Sequence, residues 1–104
     1  ISNINSKIYN IISLKNNFIY NKYNKSLFKN DTQISLTKKE SEFLSFLIKN
    51  HDCSKSYEDI NNNVWNGVMS QDSLRSLVKD LRKKTYKELI KNVSGIGYRI
   101  DIKA

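Results

Sequence analysis

The side chains best placed to do chemistry in this chain are basic, and their chemistry is recognition of negative charge rather than bond-making. Residues 70–84 carry Arg75, Lys79, Arg82, Lys83 and Lys84, interleaved with Leu74, Leu77, Val78 and Leu81. The four apolar residues recur at helical spacing and predict one buried stripe. At about 100° per residue, the opposite face is centred on Asp72, Ser76, Lys79 and Lys83, with Arg75 at its edge. Such a face fits the major groove of duplex DNA. Residues 90–100 follow, with Lys91, Asn92 and Arg99 around Gly95 and Gly97. They predict a short basic hairpin that can touch the flanking backbone or minor groove.

Other chemistries find no purchase. The 18 Lys and Arg outnumber the 10 Asp and Glu, giving a net charge of +8 that points to a polyanionic partner. Part of that excess is compositional, because the chain is rich in Asn, Lys and Ile and has no Pro. Arg is the better witness: Arg75, Arg82 and Arg99 are the three arginines, and all lie in the helix-plus-hairpin region. Cys53 is the single cysteine; it forms no internal disulfide, suits a reducing cytoplasm and reads as an inert small residue. His51 lacks a Cys or carboxylate at ligand spacing and reads as a surface loop residue. There is no phosphate-binding glycine loop, metal cluster or nucleophile motif, so no catalytic residue, metal or cofactor is expected, and nothing reads as an enzyme. No apolar run exceeds three residues, which leaves no membrane span.

The elements that must position these residues form one α+β domain over 104 residues. The chain opens on Ile1 rather than Met and is read as a fragment, with residues 1–6 the remnant of a linker. Short apolar segments at 8–14, 18–20, 26–29 and 32–35 predict an antiparallel strand meander, broken by Asn-rich turns. Residues 37–50 predict a helix opened by a capping box of Thr37 and Glu40. Its stripe is Glu40, Phe43, Leu44, Leu47 and Ile48. Ser56 caps a second helix through Tyr57, Ile60 and Val64, ending near Trp65, and Asn66-Gly67 breaks it. After a loop at 66–69, Ser70 caps the third helix. The hairpin pairs 90–93 with 98–102 across Ser94-Gly95-Ile96-Gly97, where two glycines allow positive φ.

Four pieces in this order resemble the C-terminal effector domain of OmpR/PhoB-type response regulators. They are Leu36-Thr37-Lys38-Lys39-Glu40, Val64-Trp65, the basic segment from Leu74 to Lys84, and Val93-Ser94-Gly95-Ile96-Gly97-Tyr98-Arg99-Ile100. The resemblance covers residues 18–102 and implies a winged helix-turn-helix with an N-terminal antiparallel sheet, three helices and a C-terminal β-hairpin wing. It implies double-stranded DNA binding as the output half of a two-component transcription regulator in the cytoplasm. Its partners would be an upstream receiver domain with its histidine kinase, RNA polymerase through the 66–69 loop, and a second copy on repeated half-sites, the isolated domain being monomeric. By position, Ser73, Lys79 and Arg82 match contacting residues, Trp65 abuts a phosphate, and Lys91, Asn92 and Arg99 belong to the wing. Asp80 and Ser94 depart from the pattern, each standing where a basic residue is common.

Bland readings stand beside these. Arg82 flanks the buried stripe and serves equally well as a bridge to Glu40 or as a DNA contact. Lys84 is accounted for by the helix dipole. Trp65 reads as core before contact, and Gly95, Gly97 and Tyr98 as structural, with the Tyr98 ring under the wing. A winged helix that holds a protein instead of DNA is the main alternative, for which Asp80 and Ser94 speak. An RNA binder is the second, although the aromatics lack the spacing of a stacking platform.

Overall fold

The computed structural model describes residues 10–102; the linker expected at residues 1–6 and the start of the first expected strand, at 8–9, lie outside the described residues. Four short strands come first: β1 Ile11–Ser13, β2 Phe18–Asn21, β3 Ser26–Lys29 and β4 Thr32–Ile34, paired in that order as an antiparallel meander. The Asn-rich breaks work as expected. Asn16, Asn17, Asn30 and Asp31 all take positive φ, between 50° and 67°, the left-handed region that short polar side chains tolerate best. The Asn30-Asp31 pair makes the two-residue turn whose twist suits a hairpin.

Three helices follow: α1 Lys38–Lys49, α2 Tyr57–Val64 and α3 Gln71–Lys84. Each begins where a hydroxyl caps it. Thr37, Ser56 and Ser70 accept from the backbone N–H of Glu40, Asp59 and Ser73 respectively. At α1 the box is reciprocal, since the Thr37 N–H donates to Glu40 Oε1 at 2.9 Å. The expected stripes are the buried ones: Glu40, Phe43, Leu44, Leu47 and Ile48 on α1, and Leu74, Leu77, Val78 and Leu81 on α3.

The C-terminal end is more tightly built than the sequence suggested. A single 3-10 turn, Lys87–Leu89, leads into β6 Ile90–Val93, which pairs with β7 Gly97–Ile100. A two-residue strand, β5 Lys55–Ser56, adds to the other edge of β7, giving the order β5-β7-β6. Sequence reading placed neither β5 nor the 3-10 turn. Tyr86 locks the two ends of the molecule together: its hydroxyl accepts from the Lys15 N–H at 3.0 Å, and its ring lies 5.7 Å from that of Phe18.

Two expectations are corrected. The positive φ belongs to Gly95 (+78°) and not to Gly97; Gly97 opens β7, and a Cβ there would sit 1.9 Å from the Lys55 carbonyl oxygen. It is glycine because β5 lies against it. The carboxylate of Glu40 is taken by Lys84, with Nζ at 2.6 Å from Oε1. The reading of Lys84 as a mere dipole complement is therefore replaced by a tie between α1 and α3, and Arg82 forms no bridge to Glu40.

Candidate nucleic-acid interface

The interface is built from α3 outward. Its buried stripe fixes the helix's rotation about its axis, and that rotation decides which cations are free. Arg75, Ser76, Lys79 and Lys83 are exposed, together with Asp72, Ser73 and Asp80. Arg75, Lys79, Arg82 and Lys83 line one shallow concavity with Tyr98 of the wing. The structure therefore gathers these cations on the flank of α3 nearest the hairpin, with Arg75 at the wing-side edge of the exposed face. At about 100° per residue, Asp80 lies roughly 140° around the helix from Arg75 and Ser73 roughly 160°. Those two share the far flank, although Asp80 lies only about 60° from Lys83, and Asp72, about 60° from Arg75, stands on the basic side itself in the first turn. Ser73 is further engaged by the cap, its Oγ 2.7 Å from that of Ser70.

Among the described residues, no carboxylate pairs with Arg75, Lys79, Lys83 or Arg99. Four ion pairs form elsewhere among those residues: Lys39 with Glu42, Lys84 with Glu40, and both Lys15 and Lys91 with Asp101. A row of unpaired cations along one helix flank costs self-repulsion unless an anion comes to it.

Arg82 behaves differently. It is half-buried, and its Nε and Nη2 both donate to the Ile90 carbonyl oxygen, at 3.2 and 2.6 Å. That fork fixes the start of β6 against the last turn of α3, so Arg82 sets the wing's position while lining the concavity.

The hairpin sorts its own residues by pleat. Lys91 faces Arg99 and Asn92 faces Tyr98 across β6 and β7, and directly opposed residues share a face of the ribbon. Asn92 and Tyr98 line a second concavity with Gln71, Leu74 and Arg75 of α3, Met69 of the loop and Tyr57 of α2. Lys91 and Arg99 lie on the other face of the ribbon. The wing residues singled out from sequence thus divide, one beside the recognition helix and two away from it. Tyr98 is buried as expected, its ring edge-on to Phe43 at 6.3 Å and Tyr57 at 6.0 Å.

Trp65 caps α2 and is 9% exposed. Its ring packs edge-on to Phe43 and carries Lys39 Nζ 5.6 Å above it, while Lys39 also donates to the Val64 carbonyl at 2.9 Å. It is a core residue with one cationic neighbour. The loop after it is pinned by Asn61, whose carbonyl oxygen and Oδ1 accept from the Gly67 and Met69 N–H groups. Val68 at its crest is 82% exposed.

Residues 31–100 match the family described as "Transcriptional regulatory protein, C terminal". The chain belongs to that family. This transcriptional regulatory C-terminal domain is also 32% identical over 72 residues to the Regulatory protein VanRB of Enterococcus faecalis, spanning 67% of the present chain and 33% of that relative. It therefore covers about a third of the length of the curated protein it matches. Its fold is similar to that of the DNA-binding domain of CpxR from E. coli, with a TM-score of 0.73 at 18% identity over 90% of this chain and 98% of that one. It is similar also to the DNA-binding domain of the response regulator AdeR, solved in complex with an intercistronic region, with a TM-score of 0.70 at 25% identity over 88% and 100%. The family domain's architecture is thus the winged helix-turn-helix of OmpR/PhoB-type regulators, α+β with an N-terminal antiparallel sheet, three helices and a C-terminal wing. No helix among the described residues is long and apolar enough to cross a membrane.

Proposed function

We propose that this domain binds double-stranded DNA as the output half of a two-component transcription regulator, with α3 in the major groove and the β6–β7 wing alongside. The observation that carries the reading is the gathering of Arg75, Lys79 and Lys83, none of them paired with a carboxylate, on the wing-facing flank of α3. Arg75 and Lys79 meet base edges or phosphates from the middle of α3, Ser76 lies between them, and Lys83 takes a phosphate near its end. Arg82, already forked onto Ile90, contributes through wing position and through any N–H left free. Asn92 adds a polar contact beside Arg75. Lys91 and Arg99, on the far face of the wing, serve the flanking backbone, Lys91 sharing its charge with Asp101. Trp65 and Ser73 contribute at the margin, Trp65 through the edge it leaves open near Lys39.

In the whole protein, an upstream receiver domain controlled by a histidine kinase would pair two such domains on repeated half-sites in the cytoplasm, and the loop at residues 66–69 would meet RNA polymerase through Val68. The family, the fold and the matched length of VanRB support this assembly.

A titration by fluorescence anisotropy tests the DNA reading. With about four to six phosphates neutralised, the log of the affinity for duplex should fall against log salt with a slope of roughly −4 to −5. Lys79→Ala should weaken binding and reduce that slope by about one while leaving the melting temperature unchanged. The isolated domain should fill a single half-site and two tandem half-sites with equal affinity per site, since the pairing element lies elsewhere. Absence of binding at low salt sinks the DNA reading, and strong cooperativity of the isolated domain removes the need for an external pairing element.

A further inference from the structure

A cavity of about 440 Å³ lies where β1 and β2 meet the C-terminal half of α1, and it shares no lining residue with either concavity beside α3. Its walls follow from spacing. Ile12 and Tyr20 are directly opposed across β1 and β2, so their side chains share one face of the sheet. Ser45, Ile48 and Lys49 recur three and four residues apart on α1 and form one flank of that helix. Both sets line the cavity, and Ile102, from the chain leaving β7, joins them.

The lining divides by chemistry. Ile12, Ile48 and Ile102 are buried or half-buried and give an apolar floor, while Lys22, Lys49 and His51 are exposed and ring the mouth. No carboxylate lines the cavity. Among the described residues, the side chains of Lys22, Lys49 and His51 have neither an ion-pair nor a hydrogen-bond partner. The carbonyls at the end of α1 make no claim on Lys49, because the Asn50 and His51 N–H groups occupy those of Phe46, Leu47 and Ile48. Tyr20 is 1% exposed, and its hydroxyl is the one buried side-chain polar atom among the described residues without a hydrogen-bond partner. Folded proteins rarely leave such an atom unsatisfied. It lies beside the hydroxyl of Ser45, which lines the same cavity.

We propose that this cavity binds a small organic anion, a carboxylate or phosphate carried on an apolar body. The body packs on Ile12, Ile48 and Ile102, and Lys22, Lys49 and His51 hold the charged group at the mouth. A ligand oxygen that accepts from the Ser45 hydroxyl turns that hydroxyl to accept from Tyr20, so the orphaned phenol gains its partner when the site fills. The volume suits the purpose, since small-molecule sites enclose about 300–1,000 Å³ and combine apolar walls with a few convergent polar groups.

Titrations of the 104-residue chain, followed by amide NMR, test this with four probes. Phenyl phosphate and benzoate combine charge with an apolar body, inorganic phosphate has charge alone, and benzyl alcohol has the body alone. The first two should bind with a Kd on the order of 1 mM and shift the amides of Ile12, Tyr20, Ser45 and Ile48. The other two should bind at least about tenfold more weakly, having lost one half of the recognition. Replacing both lysines, Lys22→Gln with Lys49→Gln, should weaken phenyl phosphate about tenfold without lowering the melting temperature. Tyr20→Phe should weaken it about fivefold, the worth of one hydrogen bond, while Lys79→Ala should leave it unchanged. Inorganic phosphate binding as tightly as phenyl phosphate, shifts gathered on α3, unchanged affinity in the lysine or Tyr20 variants, or no binding at about 10 mM phenyl phosphate each overturn the proposal. None of these results bears on duplex DNA binding, which the salt titration tests separately.

Discussion

Glu40 is 4% exposed and has two duties: it closes the α1 capping box and holds Lys84. Removing Lys84 leaves that buried carboxylate without its cation, and removing Glu40 leaves an ammonium without its anchor. A double-mutant cycle of Glu40→Gln and Lys84→Met should therefore give a coupling above about 0.5 kcal/mol in thermal or denaturant melts. The cycle of Glu40→Gln with Arg82→Ala should be additive, because Arg82 spends its fork on the Ile90 carbonyl. Coupling in the second cycle and none in the first would reverse the assignment. This exchange of partners shows where sequence stops being legible at the residue scale. The capping box is local and could be read from Thr37 and Glu40 alone. The choice between Lys84 and Arg82 depended on α3's roll against α1, and Arg82's partner is a backbone carbonyl, which side-chain identities do not advertise.

At the scale of elements, caps and periodicity placed all three helices to within a residue, since each signal lies inside the element it specifies. β5 was missed for the opposite reason. Lys55-Ser56 has no apolar alternation, and its pairing exists only because β7 comes to it from about forty positions along the chain. The one trace it leaves is Gly97, a glycine inside a strand, which marks the close approach of another backbone. The wing's two glycines should accordingly differ under substitution. At Gly95→Ala the added Cβ meets nothing within 4 Å, and the loss should be about 1 kcal/mol from the left-handed backbone. At Gly97→Ala the Cβ collides with the Lys55 carbonyl, so β5 must separate from β7, and roughly 2–3 kcal/mol should be lost. Guanidinium melts of the two variants check this; equal losses would mean that β5 contributes nothing to holding the wing.

For the molecule as a whole, one core joins the N-terminal sheet to the helices and the wing, and two phenols, Tyr20 and Tyr86, are buried in it. Burial raises the pKa of Tyr20 above its ordinary 10.0, tempered by the nearby Ser45 hydroxyl, which lies close without forming a hydrogen bond of good geometry. Burial likewise raises that of Tyr86; the Lys15 N–H works against the rise, and the charges of Asp101 and Glu88 add to it. In both cases folding favours the neutral phenol. The stability this represents is fully present below the unfolded value, near pH 10, and is lost as pH climbs through the raised folded values. The melting temperature should therefore fall on the alkaline side above about pH 10. The Phe variants isolate the contribution of each phenol. Tyr20→Phe removes a buried hydroxyl that has no hydrogen-bond partner, so it should be neutral or stabilising at pH 7 and should flatten the alkaline limb. Tyr86→Phe forfeits the bond from the Lys15 N–H and should cost about 1 kcal/mol at pH 7, while flattening the same limb. Melts between pH 7 and 11 on the parent and both variants measure it. An alkaline limb as steep in the two variants as in the parent would show that the phenols are not what alkali attacks.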